Sequence, residues 1–240
     1  MNLLSYLLDP ANWPGGGKII DLLLQHLTYT AAAVVIGALI AIPVGILIGH
    51  TGRGSFLVIG TSNAARAIPT LGLLVLVVVL LGTGIEKIVP VLAILALPAI
   101  LTATAAGIGG ADREAVHAAR AIGLTETQIV AQVEWPLALP LVISGLRSAT
   151  LQVVATATVA AFAAGGGLGR LLISGQRQND YPQMFAGAAL IAGLAIVLDV
   201  LLSGVGWLAG RTTRARRAVD RAVLQAEQDT DTPSRSEALT

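Results

Sequence analysis

Long apolar segments are the feature that most constrains how this chain can fold. More than half of its 240 residues are hydrophobic and 12% carry a charge, which is the composition of a membrane protein. A helix needs roughly 20 mostly apolar residues to cross a bilayer. The sequence contains such segments at 22–49, 55–81, 88–108, 137–164 and 184–210. Because a helix satisfies its backbone hydrogen bonds internally, we predict an all-α, polytopic membrane protein with about five transmembrane helices.

The apolar segments divide the chain into three parts. Residues 1–20 hold an apolar run that is too short to cross a bilayer, so we expect a segment at the extracytoplasmic interface. Residues 21–210 contain the transmembrane domain. The tail, 211–240, is polar, and we predict a surface helix in its first part and disorder at its end.

The placement of arginine and lysine predicts the orientation in the membrane. With five spans, one side carries Arg53, Arg113, Arg120 and the arginines within 211–217, and the other carries Lys18, Lys87, Arg170 and Arg177. Cytoplasmic loops carry the excess of basic residues. We therefore predict that the N-terminus lies outside, and that the stretch 112–136 and the C-terminal tail are cytoplasmic.

The composition disfavours several kinds of chemistry. The chain contains no cysteine and has a net charge of +1, which argues against disulfides, thiol catalysis and nucleic-acid binding. The run Gly15-Gly16-Gly17-Lys18 differs from a phosphate-binding loop, because the first glycine is missing and no Ser or Thr follows the lysine. His26, His50 and His117 lie far apart, without a nucleophile or metal-ligand pattern around them. We therefore expect no catalytic residue, no metal and no ATP site in this chain.

A charged stretch, 112–136, interrupts the apolar segments. Its apolar residues recur at spacings of three and four, which predicts two short amphipathic helices. We expect Gly123 to break the first helix and Thr125 to cap the second. We expect Trp135-Pro136 to end the second helix, because a residue before proline avoids helical angles. A helix pair this polar must project into water and present a face to another molecule.

This stretch resembles the cytoplasmic coupling loop of ABC importer permeases. The family pattern is Glu-Ala-Ala, three residues, Gly, nine residues, Ile, one residue and Leu-Pro. The matching positions are His117, Ala118, Ala119, Gly123, Val133, Trp135 and Pro136. His117 stands where the family usually has Glu, and Glu114 lies about one helical turn earlier. The resemblance implies that the loop docks on a separate ATPase subunit, through Glu114, His117, Ala118, Ala119, Gly123 and Pro136.

Other segments resemble the osmoprotectant branch of these permeases. The matching segments are Asn63 to Leu74 with its Ile-Pro-Thr-Leu, Leu139-Pro140, Gly145-Leu146-Arg147, and 155–169 with its terminal Gly-Gly-Leu-Gly. The resemblance implies import of glycine betaine, choline, carnitine or proline across the cell membrane of a prokaryote. It also implies cytoplasmic ATPase subunits that use the ATP, a second permease subunit, identical or related, and an extracytoplasmic substrate-binding protein.

Two alternatives stay open at this point. A permease for methionine or another amino acid would share the coupling loop and the general architecture. A secondary transporter driven by an ion gradient would show inverted repeats and midplane carboxylates. The sequence shows no such repeat, and Asp199 is its one plainly intramembrane carboxylate. Dependence of uptake on a separate ATPase distinguishes the importer from the secondary transporter.

Polar residues inside the predicted spans mark a candidate translocation path, because a charge in the bilayer usually faces a cavity or a partner. Arg66 lies roughly 16 Å into the second span and Asp199 comparably deep in the fifth, so we predict that they approach one another or share a cavity. Ser148, Gln152 and Thr156 recur every four residues, which predicts one polar face. Alternatively, the two charges pair elsewhere and these hydroxyls make ordinary interhelical hydrogen bonds.

The residues assigned to the path are Arg66, Pro69, Gln152, Thr156 and Asp199, and Pro69 is also a point at which the second span can split into two half-helices. Aromatic residues are scattered and form no cage for a cationic substrate, so we expect high-affinity recognition in the separate binding protein. The loop 165–183 faces outside. We assign docking of the binding protein to Gly167, Gly169, Arg170 and Tyr181, with a re-entrant structural loop as the alternative.

Overall fold

The computed structural model describes residues 3–54, 56, 58, 60, 67, 69–164 and 166–230, with side chains up to residue 210 other than those of 85, 163 and 164. These residues are helical or irregular, which confirms the all-α prediction. The helices are α1 (Ser5–Leu8), α2 (Ile19–Thr51), α3 (Thr70–Leu81), α4 (Ile85–Gly109), α5 (Arg113–Ala121), α6 (Glu126–Ile129), α7 (Trp135–Ala164), α8 (Gly169–Gln178) and α9 (Tyr181–Thr230). A 3-10 turn, Pro10–Asn12, follows α1, and a π-helical turn, Val130–Glu134, joins α6 to α7.

Four helical segments in the described ranges are long and apolar enough to cross a bilayer. They are Ile19–Thr51, Glu86–Gly109, Glu126–Phe162 and Tyr181–Gly210. The predicted second span, 55–81, lies partly outside the described residues, and α3 is its second half. Pro69 precedes α3 with extended backbone angles (φ −68°, ψ 101°), so α3 begins at Thr70, in agreement with a possible split at this proline.

A stripe of small residues brings α2 and α4 into close contact. The stripe recurs every four positions, at Ala33, Gly37, Ala41, Gly45 and Gly49. A Cβ atom at Gly45 would lie 2.7 Å from Thr104 Cβ, and one at Gly49 would lie 2.6 Å from Ala105 O. Such small residues allow membrane helices to approach closely without a hydrophobic driving force. This contact, which we call the seam, fixes the C-terminal end of α2 against the C-terminal end of α4.

Helix α7 packs against α4 beside this seam, and α9 packs in turn against α7. Buried Leu92, Ala96 and Ile100 of α4 meet Ala149 and Val153 of α7 in the main core. Helix α9 packs along α7 and α8. The outer faces of α2 and α9 expose large apolar residues, as expected of surfaces that contact lipid.

The prediction that Trp135-Pro136 ends the second loop helix is wrong. Helix α6 continues through the π-helical turn, Val130–Glu134, directly into α7, which begins at Trp135. Pro136 has no N–H to donate, and a widened turn before it accommodates its ring at the start of a helix. The charged stretch is therefore joined to the fourth span by an unbroken helix.

The C-terminal helix also differs from its predicted boundary. The sequence predicts a surface helix in the first part of the tail and disorder at its end, whereas helix α9 runs without a break through Gly210 to Thr230. Between Arg211 and Thr230 the chain has no proline or glycine and is rich in alanine and arginine, which favour helix. Residues 231–240 lie outside the described residues.

Candidate functional site

The stretch 112–136 forms a bent helix pair, which we call the elbow. Asp112 caps α5, since its Oδ1 accepts a hydrogen bond from Glu114 N at 3.0 Å. Gly123 has a φ of 87°, a left-handed conformation that favours glycine, and it reverses the chain after α5. Thr125 caps α6 in a capping box with Gln128, whose Oε1 accepts from Thr125 N at 2.8 Å. The break predicted at Gly123 and the cap predicted at Thr125 are both confirmed.

The tip of the elbow exposes an apolar side chain. Ile122 is 78% exposed, and Ala118 and Gly123 beside it are also exposed. Glu114 and His117 lie exposed on α5, whereas Ala119 is buried against the rest of the elbow. Pro136, the remaining residue of the predicted coupling set, is half-buried in the first turn of α7. The tip of the elbow therefore offers a small surface with an apolar centre, between the membrane-spanning segments Glu86–Gly109 and Glu126–Phe162.

Four charged or titratable side chains meet at the base of the elbow, and we call them the loop cluster: His50, Arg120, Glu126 and Glu134. His50 Nδ1 lies 2.8 Å from Glu134 Oε2, and His50 Nε2 lies 3.2 Å from Glu126 Oε2. Arg120 donates to both oxygens of Glu126, from Nε at 2.9 Å and from Nη2 at 3.0 Å. The cluster thus links the end of α2 to both helices of the elbow and to the π-helical turn that leads into α7.

The members of the loop cluster differ in their exposure. Glu134 is buried, with 5% of its surface exposed, whereas Glu126 and Arg120 face solvent. The hydrogen bonds and the charge of Glu126 raise the pKa of Arg120 above its ordinary value, so its guanidinium is charged at any physiological pH. A cavity of about 400 Å³ adjoins the cluster, and its polar lining comes from His50, Arg113, His117, Arg120 and Glu134. Among the described residues, no group of three or more His, Asp or Glu is arranged to hold a metal ion.

No local pattern in the sequence predicts the loop cluster. His50 and Glu134 are 84 residues apart in the chain, and their contact depends on how α2 packs beside the elbow. The sequence signal for the cluster is indirect. A histidine directly follows the first apolar segment, and two glutamates eight residues apart precede the fourth.

A second charged pair lies within the membrane-spanning helices. Arg147 of α7 binds Asp199 of α9 through two hydrogen bonds, from Nε to Oδ1 and from Nη2 to Oδ2, the latter at 2.7 Å. The two side chains are 43% and 28% exposed. We call them the membrane pair. The predicted approach of Arg66 to Asp199 stays a prediction, because Arg66 lies outside the described residues, but both oxygens of Asp199 already accept hydrogen bonds from Arg147.

The predicted polar face of α7 is partly wrong. Ser148 and Gln152 are exposed on one side of the helix, but Thr156 is buried and donates its hydroxyl to Gln152 O at 2.8 Å. A four-residue step rotates about 40° around an α-helix, so two such steps carry Thr156 about 80° away from Ser148. Pro69, the other described member of the predicted path, is exposed.

The loop 165–183, which the sequence predicts to face outside, contains helix α8, and two of its predicted docking residues are buried. Gly167 has a φ of 69°, and a Cβ there would lie 3.0 Å from His26 Nδ1. A Cβ at Gly169 would overlap Thr158 O of α7. Both glycines therefore serve the packing of α8 against α2 and α7 and offer no docking surface. Arg170 and Tyr181 are exposed, and α8 lies with the N-terminal residues Ile19 and Leu22, at the end of the helices away from the elbow.

Comparison with known proteins defines the class of protein. The family of binding-protein-dependent transport system inner membrane components matches residues 19–220. The chain belongs to this family, and it is therefore a membrane component of a transport system.

Named relatives cover most of the chain. It is 32% identical to the choline transport system permease protein OpuBB of Bacillus subtilis, over 78% of this chain and 87% of that protein. It is 32% identical to the carnitine transport permease protein OpuCD of Listeria monocytogenes, over 87% of this chain and 92% of that protein. It is 34% identical to the osmoprotectant import permease protein OsmW of Salmonella typhimurium, over 84% of this chain and 94% of that protein.

Solved structures show the same fold. The chain is similar to the MetNI methionine ABC transporter in an inward-facing conformation, with a TM-score of 0.68 and 23% identity over 79% of this chain and 94% of that chain. It is also similar to an amino acid ABC transporter, with a TM-score of 0.60 and 21% identity over 80% of this chain and 92% of that chain. At these identities the likeness concerns the fold alone.

Proposed function

We propose that this chain is the permease subunit of an ATP-driven importer of osmoprotectants, of the class of choline, glycine betaine, carnitine or proline. The relatives described above support the substrate class, since their names specify choline, carnitine and osmoprotectant transport. Each is at least 30% identical, and the chain covers between 87% and 94% of its length. The likeness to a methionine transporter carries no substrate information, because it is confined to the fold.

The observation that carries the coupling role is the exposed elbow. Ile122 projects from its tip as an exposed apolar side chain between two short helices that cannot lie in lipid. A groove on a separate ATPase subunit can bury this side chain, and that subunit supplies the ATP site that we do not expect in this chain. The exposed residues of the predicted set, Glu114, His117, Ala118 and Gly123, are the further candidates for this contact.

The unbroken helix from α6 to α7 supplies a route from the elbow to the membrane. A displacement of the elbow by the ATPase moves the first turn of α7, where Pro136 lies, because no flexible joint separates them. Helix α7 in turn contacts α4 and α9. ATP binding and hydrolysis in the partner would therefore tilt the spans and change which side of the membrane is open.

The translocation path is proposed along the exposed polar side of α7. Ser148 and Gln152 are exposed there, and the membrane pair on the flank of this side is partly exposed. Charged and polar groups at this depth are unfavourable against lipid. We therefore infer that this side faces a second permease subunit, identical or related, with the aqueous path between them. Gln152, Asp199 and Pro69 keep their assignment, together with Arg66 outside the described residues, and Arg147 joins them.

The opposite end of the chain is proposed to meet the extracytoplasmic binding protein. Arg170 and Tyr181 are exposed beside α8 and are candidates for that contact. The elbow carries Arg113 and Arg120 at the other end, which agrees with a cytoplasmic elbow and an N-terminus outside the cell membrane.

Uptake by a reconstituted transporter tests this function. The chain would be placed in liposomes with the ATPase and the binding protein from the same source, and uptake of choline, glycine betaine, carnitine, proline and methionine would be measured. We expect uptake of one or more osmoprotectants that stops when the ATPase or ATP is withheld. Selective uptake of methionine would contradict the substrate class, and uptake driven by an ion gradient without the ATPase would contradict the importer function.

A further inference from the structure

The cavity beside the loop cluster lies where the ends of α2 and α4 meet the elbow, and we call it the elbow cavity. Its volume of about 400 Å³ falls within the range of roughly 300–1,000 Å³ that is usual for small-molecule sites. Ile122, the apolar side chain at the tip of the elbow, does not line it. The charged or titratable side chains of its lining are those of His50, Arg113, His117, Arg120 and Glu134.

One part of this lining carries negative charge. Glu134 has 5% of its surface exposed, and its Oε2 lies 2.8 Å from His50 Nδ1, whereas no described residue donates a hydrogen bond to its Oε1. A buried carboxylate oxygen without a donor is unfavourable, so a group that compensates Oε1 would stabilise it. The helix ends at Thr51 and Gly109 also line the cavity, and their carbonyl groups add partial negative charge.

Another part of the lining carries positive charge and comes from α5. Arg113 and Arg120 are seven positions apart, which places them two turns apart on one side of the helix. Arg120 is bound to Glu126 through two hydrogen bonds. Arg113 is exposed and makes no ion pair within the described part of the chain. Its guanidinium can therefore bind a carboxylate of a ligand through two parallel hydrogen bonds.

The two kinds of charge favour a ligand that carries both. A simple anion at Arg113 would share the cavity with the carboxylate of Glu134, and a simple cation at Glu134 would share it with two guanidinium groups. Like charges repel strongly in a partly enclosed site. A small molecule with a carboxylate at one end and an ammonium group at the other compensates both residues. Of the substrates proposed above, glycine betaine, carnitine and proline have this form, and choline does not.

We propose that the elbow cavity binds a small zwitterion, with its carboxylate at Arg113 and its ammonium group at Glu134, and that imported substrate in the cytoplasm slows further import through this site. The inference rests on the function proposed for the elbow and on the proposed substrate class. A bound zwitterion links α5 to the π-helical turn and fills the space between the elbow and the ends of α2 and α4. The elbow then resists displacement by the ATPase, so each transport cycle is slower.

The test varies the solute inside proteoliposomes. The chain would be reconstituted with the ATPase and ATP facing the lumen and with the binding protein outside, and the initial rate of uptake of labelled substrate would be measured. The lumen would contain glycine betaine, choline chloride, potassium propionate, sucrose or potassium chloride at equal osmolarity. Arg113→Gln removes the positive charge from the site. Arg177→Gln, at an exposed arginine in the last turn of α8, is the matched control.

We expect luminal glycine betaine to slow wild-type uptake by about fivefold or more relative to potassium chloride, as for a coupling of ordinary strength between two sites. Choline, propionate and sucrose should leave the rate nearly unchanged. Arg113→Gln should lose the inhibition by glycine betaine, and Arg177→Gln should retain it. Each variant is compared with its own rate over luminal potassium chloride, so a change in basal uptake does not affect the comparison.

Equal inhibition of the wild type and of Arg113→Gln would overturn the inference, because glycine betaine would then act in the translocation path. Inhibition by choline or propionate as strong as that by glycine betaine would also overturn it, since a single charge would suffice. Wild-type uptake over luminal potassium chloride that requires the ATPase tests the proposed function separately, so the two failures are distinguishable.

Equilibrium dialysis gives a second readout that needs no uptake. Labelled glycine betaine would be dialysed against the detergent-solubilised complex of the chain and the ATPase, without the binding protein. Glu134→Gln keeps the size of the side chain and removes its charge. Binding to the wild type that is lost in Glu134→Gln supports the inference. Absence of binding to the wild type, or equal binding to both, would overturn it.

Discussion

The loop cluster and the membrane pair both neutralise charged side chains, the first beside water and the second within the membrane-spanning helices. In the loop cluster, four side chains from α2 and the elbow share their charges, and each of them has access to water or to the adjoining cavity. In the membrane pair, Arg147 and Asp199 neutralise each other between two spans. When one outer side chain of a charged network is removed, the ion pairs among the other members can remain. When one member of an intramembrane pair is removed, the other is left as an unpaired charge. The comparison suggests that the loop cluster modulates coupling and that the membrane pair is required for a working path.

The largest effect is expected from breaking the membrane pair. Asp199→Asn leaves the guanidinium of Arg147 without its carboxylate, and Arg147→Gln leaves Asp199 without its cation. Because an unpaired charge is unfavourable at membrane depth, we expect each single variant to reduce ATP-dependent uptake at least about tenfold. Uptake by reconstituted variants, normalised to the amount of folded complex, measures this.

Exchanging the two charges sharpens the same test. The double variant Arg147→Asp with Asp199→Arg should recover part of the uptake that either single variant loses. Its carboxylate at position 147 and its guanidinium at position 199 can again form an ion pair. If this exchange restores nothing while an exchange between Arg66 and Asp199 restores uptake, the membrane pair of the working transporter is the one predicted from sequence instead.

The next effect concerns the seam that holds α2, and with it His50, in place. Gly45→Val adds a branched side chain at a position where even a Cβ atom would lie only 2.7 Å from Thr104 Cβ. We expect this overpacking to destabilise the complex by about 1–3 kcal/mol. A thermal unfolding scan in detergent measures it. Gly193→Val is the matched control on α9, because a Cβ at Gly193 meets nothing within 4 Å. Equal melting temperatures for the two variants would contradict the close packing of α2 on α4.

A smaller effect is expected at the bend of the elbow. A Cβ atom at Gly123 would meet no atom within 4 Å, so space does not limit substitution there. The backbone does, because Gly123 has a φ of 87°. Asn tolerates left-handed angles better than a β-branched residue does, because steric clashes with the backbone exclude the branched side chain from this region. We therefore expect Gly123→Val to reduce uptake several-fold more than Gly123→Asn does. Similar uptake by the two variants would show that the bend is not conformationally constrained.

The smallest effect is expected at the outer edge of the loop cluster. Arg120 and Glu126 are exposed, and exposed ion pairs contribute little because water and salt screen them. Arg120→Gln leaves the contact between His50 and Glu134 in place. We expect it to change the ratio of import to ATP hydrolysis by about twofold or less. A loss as large as that expected of Asp199→Asn would show that the cluster behaves as an indivisible unit and that its difference from the membrane pair does not hold.

Local patterns in the sequence were enough to predict the fold class, the positions of four of the five predicted spans and the bend of the elbow. Segment length and hydropathy define the spans, and the break at Gly123 and the cap at Thr125 depend on residues within one or two turns. The end predicted at Trp135-Pro136 failed for a local reason of a different kind. A π-helical turn accommodates the proline, and the preference of the residue before proline does not reveal that such a turn precedes it.

Contacts between distant segments could not be predicted in the same way. Arg147 and Asp199 are 52 residues apart, and His50 and Glu134 are 84 apart, so each contact depends on which helix faces meet. The same limitation explains Thr156, Gly167 and Gly169, whose burial depends on the packing of α7 and α8 against their neighbours. Sequence spacing places residues on a helix, but it does not specify what covers each face.

Binding of the ATPase to the elbow tests the central claim most directly. The chain would be co-purified with ATPase subunits from the same source, and substrate-stimulated ATP hydrolysis would be measured in liposomes for the wild type and for Ile122→Asp. The control is Gln178→Asp, which adds the same charge at an exposed position on α8, at the end of the helices away from the elbow. We predict a stable wild-type complex with stimulated hydrolysis, loss of both in Ile122→Asp, and neither loss in Gln178→Asp. Solute movement by this chain alone in an ion gradient, with no ATPase bound, would contradict the account.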